Sequence, residues 1–413
     1  MKLRTPLGSR RRGAGALTLS LLFILCAGCS ATNVASPSSS VQASNPTPVA
    51  SAPPSGPPAA WTRVATFGDT TATHTARHVV YGTAGFLAIG DRQEGFEGGP
   101  QITRRYTWAS PDGLAWEEIA MPAQLTNGSV NSLITTPDGD YVLYADFPTT
   151  QPGIRTPPAL RSSDGRTWDA VQTGLPQGLF IKSIERGKRG YLLAGYPTDA
   201  GNPTLWLSKD GVAWEQVHEF SQDQTYVDIS DAGAGDEGFV VFGVRTDRVT
   251  SHYQRFTFAS SDGRAWVDTR APFGPDPQDY RPDVRVTGFG PDWIATVASK
   301  DDSAHFWFSA DGIAWKPLTQ IDRVGSTMVW DPILGAANGR LFFSASSSQF
   351  PPGNAVGGAW TSADGLTWEA IDLGGVAYPA GVAEGGGVVV LAGTVAAQDR
   401  RSSVAALWAK AAE

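Results

Sequence analysis

Two loops of the chain could place paired carboxylates. Asp91, Glu94 and Glu97 share one, and Asp276, Asp279 and Asp283 share the other. Held at a suitable separation, such pairs perform general acid–base work on a glycosidic bond. Arg77, Lys182, Asp228 and Arg285 precede or open apolar segments, where charged side chains could meet a ligand. Tyr280, with Phe96, Phe147, Tyr253 and Phe350, supplies rings that could stack on sugars or seat in a protein partner. The five histidines (His74, His78, His218, His252, His305) show no H-x-H or H-E-x-x-H spacing. The only cysteines, Cys26 and Cys29, lie near the N-terminus, so a disulfide or thiolate site in the body of the chain is excluded. No phosphate loop, dinucleotide fingerprint or G-x-S-x-G elbow is present. The expectation is no cofactor and no metal.

The elements that must position these residues repeat. Six segments share S-x-D-G-x-[AT]-W: SPDGLAW ending at Trp116, SSDGRTW at Trp168, SKDGVAW at Trp214, SSDGRAW at Trp266, SADGIAW at Trp315 and SADGLTW at Trp368. Successive tryptophans are 52, 46, 52, 49 and 53 residues apart. Asp-Gly between apolar runs is a hairpin signal, because Gly accepts positive φ. The carboxylates of Asp112, Asp164, Asp210, Asp262, Asp311 and Asp364 can each bind backbone N–H groups just downstream. A short apolar strand precedes each hairpin: FLAIGD (86–91), YVLYAD (141–146), YLLAGY (191–196), FVVFGV (239–244), WIATVA (293–298) and LFFSAS (341–346). A seventh, VVVLAG (389–394 or one residue earlier), follows the last. Further candidate strands lie upstream, such as RHVVYG at 77–82. Four strands in about 50 residues imply propeller blades.

The seventh unit ends with VAALWAK (404–410) and lacks a fourth strand, while AAWTRVATF (59–67) resembles the fourth strands of the other units. The expected fold is therefore an all-β, seven-bladed propeller over 61–413 whose last blade is completed by the N-terminal strand. A six-bladed ring with an irregular C-terminal piece is the alternative.

Ahead of this body, residues 1–12 are basic and 14–28 are apolar, too short a run to span a bilayer but suited to a secretion signal. The run ends CAGC and resembles the lipobox of bacterial lipoproteins. That resemblance implies cleavage behind Gly28 and lipidation of Cys29, with Cys26 standing where the family usually has Leu. Residues 29–60, rich in Ser, Pro and Ala, read as a disordered tether. The expected address is the outer face of the bacterial cytoplasmic membrane. The first 29 residues carry five of the 32 basic residues and no acid, leaving 27 cations against 40 carboxylates. An acidic body without a basic stripe argues against nucleic acid.

The repeated segment resembles the Asp-box, or BNR repeat, of the sialidase superfamily, although each copy is one residue shorter than the usual S-x-D-x-G-x-T-W. The resemblance implies a structural role for the six aspartates and for Trp116, Trp168, Trp214, Trp266, Trp315 and Trp368, on the face away from an active site. It also implies that a sialidase would need an arginine triad. Arg77 lacks the Ile-Pro that follows the family's first arginine, and Tyr280-Arg281-Pro282 falls between the fourth and fifth boxes, so no triad carries over. The expected function is a monomeric, non-catalytic binding or scaffolding module for a glycan or an envelope protein. A sialidase-like or glucanase-like glycoside hydrolase is the alternative.

Overall fold

The computed structural model describes residues 56–69, 72–94, 101–122, 129–146, 159–176, 178–197, 202–223, 225–271, 273, 284–298, 303–321, 329–347, 356–396 and 402–412. The chain separates into Met1–Ser51 and Ala52–Glu413, and all described residues lie in the second unit. The signal segment, Cys29 and most of the tether lie outside the described residues.

Every regular element among the described residues is a strand. β1 (Thr62–Phe67) precedes β2 (Thr73–Gly82), β3 (Gly85–Glu94), β4 (Gln101–Ser110) and β5 (Glu117–Ile119). The second unit is β6 (Ser129–Thr135), β7 (Tyr141–Asp146), β8 (Ala159–Ser162) and β9 (Asp169–Val171). The third is β10 (Leu179–Gly187), β11 (Gly190–Pro197), β12 (Thr204–Ser208) and β13 (Glu215–Glu219). The fourth is β14 (Thr225–Ala234), β15 (Phe239–Asp247), β16 (Tyr253–Ser260) and β17 (Val267–Arg270). The fifth is β18 (Val284–Phe289), β19 (Asp292–Ala298), β20 (Ala304–Ser309) and β21 (Lys316–Ile321). The sixth is β22 (Val329–Ala337), β23 (Arg340–Ser347), β24 (Val356–Ser362) and β25 (Glu369–Ala370). The chain ends with β26 (Ala377–Gly385), β27 (Val388–Ala396) and β28 (Ser403–Ala411).

The architecture is an all-β propeller of four-stranded antiparallel blades. Five units, β6–β9 through β22–β25, each form a separate four-stranded sheet in sequence order. The expectation of seven separate blades is corrected here. The strands meant for the first and last blades form one eight-stranded sheet, ordered β26-β27-β28-β2-β3-β4-β5, with β1 also pairing β28. The reason is local. Thr73 and Ser403 meet in a single parallel bridge, and the Ser403 hydroxyl donates to the His74 carbonyl at 3.3 Å. This sheet folds back on itself, so that Val79, Phe86, Ala88 and Trp108 of one half pack with Val388, Val390 and Leu407 of the other.

Second strands are buried on both faces, as in Tyr191, Leu192, Leu193 and Ala194, none more than 1% exposed. First strands bury alternate residues against their neighbours. These first strands touch in cyclic order, β2 to β6, β10, β14, β18, β22, β26 and back to β2. They line the axis of the ring. One face, the turn face, holds the turns between first and second strands. Neighbouring units are stitched there: Tyr141 donates its hydroxyl to the Gly85 carbonyl at 2.7 Å, and Tyr191 to the Thr135 carbonyl at 2.6 Å.

The six Ser-Asp-Gly-Trp turns lie on the same face. In each, Asp Oδ1 accepts from the Ser hydroxyl at 2.8–3.1 Å and from two downstream backbone N–H groups. The Gly φ lies between +71° and +76°. Five of the tryptophans return Nε1–H to the Gly carbonyl. Trp214 instead donates to the buried Tyr144 hydroxyl at 2.8 Å, and that hydroxyl reaches the Gly211 carbonyl at 2.5 Å.

Candidate functional site

The opposite, loop face is where first strands begin. On β10, Leu179 and Ile181 are buried while Phe180 and Lys182 are exposed. On β14, Val227 and Ile229 are buried, Tyr226 is exposed and Asp228 is half-buried. On β18, Val284 and Val286 are buried while Arg285 and Thr287 are half-buried. The buried set packs between blades, leaving the other set on the axial side.

Simple alternation would bury Glu185 with Leu179 and Ile181, and Asp231 with Val227 and Ile229. It does not, because both strands bulge. The register shifts between Ile181 and Ser183, and between Ile229 and Asp231. A bulge re-aims every side chain after it. Glu185 and Asp231 thereby join the axial row below Lys182 and Asp228. The same shift on β2, between Ala76 and His78, turns His78 out of the buried set.

The result is one arc across three adjacent strands. Phe180 and Tyr226 stand at its mouth, each 49% exposed. Lys182, Asp228 and Arg285 lie next, and Glu185 and Asp231 lie deepest. Tyr196, at the end of β11, ties two blades together: its hydroxyl donates to Asp228 Oδ1 at 2.5 Å and accepts the Ile229 N–H at 2.6 Å. The Tyr196 ring sits 6.2 Å from that of Phe180. Asp231 Oδ2 accepts the Val286 N–H of the next strand at 2.9 Å.

The electrostatics separate the carboxylates. Burial pushes Glu185 well above the usual carboxylate range, and repulsion from Asp231 adds to it. Burial also pushes Asp231 up, although the Arg285 charge, the Val286 and Ala232 N–H groups and Lys182 pull against it. Facing acids of this kind hold a proton between them more readily than either would alone.

The structure thus brings Lys182, Asp228 and Arg285 together. Arg77 is placed elsewhere, two first strands away on β2, where its Nε lies 2.7 Å from Asp91 Oδ2. Tyr280 lies outside the described residues, as do Phe96, Glu97, Phe147, Asp276, Asp279, Asp283 and Phe350. Phe180, Tyr226, Tyr196, Glu185 and Asp231 were not singled out from the sequence. The available signal was a charged residue at a position that strand parity marks as buried. Among the described residues, no three His, Cys, Asp or Glu side chains gather as metal ligands.

No protein-family model matches the chain, and no curated protein matches it. Among solved structures it is similar to Trypanosoma rangeli sialidase in complex with the inhibitor DANA, at 12% identity and a TM-score of 0.40, over 84% of this chain and 59% of that one. The chain thus spans about three-fifths of that sialidase's length. It is similar to the phage phi92 endosialidase at 11% identity and a TM-score of 0.42, over 86% of this chain and 69% of that one. It is also similar to the six-bladed fucose-binding lectin of the fungus Aleuria aurantia at 9% identity and a TM-score of 0.38, over 81% and 91% of the two chains.

Proposed function

We propose that the protein is a non-catalytic binding module that takes a glycan at the axial mouth of its loop face. The observation that carries this reading is the pair Phe180 and Tyr226, half exposed on adjacent strands, beside Lys182, Asp228 and Arg285. A sugar ring offers an apolar C–H face to an aromatic and hydroxyls to charged groups, and this arc presents both. On the same reading, the short turns are Asp-boxes that brace the far face, and the eight-stranded sheet serves as two blades of a seven-unit ring. The protein is exported and held to the membrane through Cys29.

The test is a broad glycan array probed with residues 55–413, wild type and Phe180→Ala/Tyr226→Ala. Saturable binding to a related set of sugars, weakened at least tenfold in the double variant, supports the reading. A blank array overturns it.

The Glu185–Asp231 pair favours hydrolysis as a second reading, since a carboxyl held protonated beside a second carboxyl can act as a general acid. Turnover of the array hits, abolished by Glu185→Gln, would establish that reading in place of the first.

A further inference from the structure

The layer between the first two units changes character towards the loop face. Leu87 and Ile89 of β3 and Ala109 of β4 pack there against Leu133, Tyr141 and Leu143, with Val130 at the layer's margin. Strand alternation keeps Asp91 on the face of Leu87 and Ile89, and Arg105 on the face of Ala109. Thr75 of β2 is paired with Asp91, which is paired with Arg105, so the three side chains share that face. Asn131, next to Val130, is the residue bulged out of β6, the neighbouring first strand.

This polar end of the layer is short of acceptors. Asp91 lies 2.7 Å from Arg77 Nε through one oxygen and 3.7 Å from Arg105 Nε through the other. The Asp91 and Arg105 side chains are each only 8% exposed. Two guanidiniums face one carboxylate, which leaves a positive charge in excess. Three polar atoms there are buried with no hydrogen-bond partner among the described residues: Thr75 Oγ1, Arg105 Nε and Asn131 Nδ2. Two of these can only donate. The neighbouring His78 senses the same field. Burial and then the Arg77 charge lower its pKa to about 4, against a weaker opposing pull from Asp91.

Buried donors without acceptors and a buried charge without a counter-charge are each costly, and native proteins rarely retain them empty. Water could accept from the N–H groups but would leave the charge uncompensated. We propose that this junction binds a small inorganic anion of chloride size, held by Arg105 Nε, Asn131 Nδ2 and the Thr75 hydroxyl, and that the anion clamps the first unit to the second. The site is separate from the β10–β14–β18 arc and does not depend on what that arc binds.

The experiment is thermal unfolding of the full chain in mild detergent, in sodium chloride, sodium bromide and sodium gluconate at matched ionic strength. Gluconate is too large for the junction. Chloride and bromide are expected to raise the midpoint by about 2–6 °C over gluconate, saturating with concentration. Asn131→Leu is expected to fold in gluconate and to lose the halide increment. Equal midpoints in the three salts overturn the proposal, as does an unchanged increment in the variant. If the variant does not fold, a bromide-soaked crystal decides: an anomalous peak in contact with Arg105 Nε supports the site, and its absence at this junction overturns it.

Discussion

Asp164 shows what one side chain does for a turn of this kind. Its carboxylate collects the Thr167 and Arg166 N–H groups and the hydroxyls of Ser162 and Thr167. Those bonds, the backbone ones first, hold its pKa at about 2. Because the folded value is below the usual one, the ionised form is favoured by folding. The stabilisation is present above about pH 4 and is lost as the pH falls towards 2. Asp164→Ala is therefore expected to cost about 1 kcal/mol at pH 7, solvent screening keeping the loss small, and much less near pH 2. Urea unfolding of both proteins at the two pH values checks this. Tyr144 is a sharper case. Its buried hydroxyl joins Trp214 Nε1 to the Gly211 carbonyl, so Tyr144→Phe strands two buried groups at once. The expected loss is about 2–4 kcal/mol, against about 1 kcal/mol for Tyr141→Phe, which gives up a single bond to the Gly85 carbonyl. Paired urea melts followed by tryptophan fluorescence would separate the two.

At the scale of elements, β1 carries a disproportionate load. It pairs with β28 at five positions, from Thr62 with Ala409 to Phe67 with Ala405. Arg63 reaches across to the Leu373 and Gly374 carbonyls. Removing 57–67 uncovers the backbone edge of β28 and the fully buried Trp408 beneath it. An open edge of this length recruits another chain. The truncated protein is expected to melt more than 10 °C lower, on the scale of several kcal/mol, and to elute as dimers or larger species in size-exclusion chromatography. An unchanged melt and elution profile would mean that β1 closes nothing. This pairing was legible because TRVAT looks like the fourth strands. So were the turns, whose Ser, Asp, Gly and Trp recur without exception, and the second strands, whose continuous apolar runs declare burial on both faces. The bulges were not legible. A one-residue slip at Lys182 or Ser230 changes no residue type, yet it decides whether Glu185 and Asp231 face a neighbouring blade or the axis. Sequence parity therefore found Lys182, Asp228 and Arg285 and missed the acids behind them. The merging of two expected blades into one sheet was equally hidden, since it depends on one bridge between residues 330 positions apart.

At the scale of the whole molecule, the ring has no natural place to divide. Each first strand touches the next, the last touches the first, and each apolar layer is built from two neighbouring units. Calorimetry is expected to give one transition, with van't Hoff and calorimetric enthalpies equal, rather than stepwise loss of blades. The path of the N-terminal segment has a separate consequence. The Pro58 carbonyl accepts from the Ala411 N–H, and Ala412 donates to the Gly387 carbonyl in the turn before β27, so both described ends of the propeller leave from the turn face. Anything that grips this protein by its N-terminus grips it from behind. A bead, a sensor surface or a bilayer at that end would leave the aromatic mouth looking outward into the medium, with the breadth of the ring as a standoff between the holder and whatever arrives to be caught.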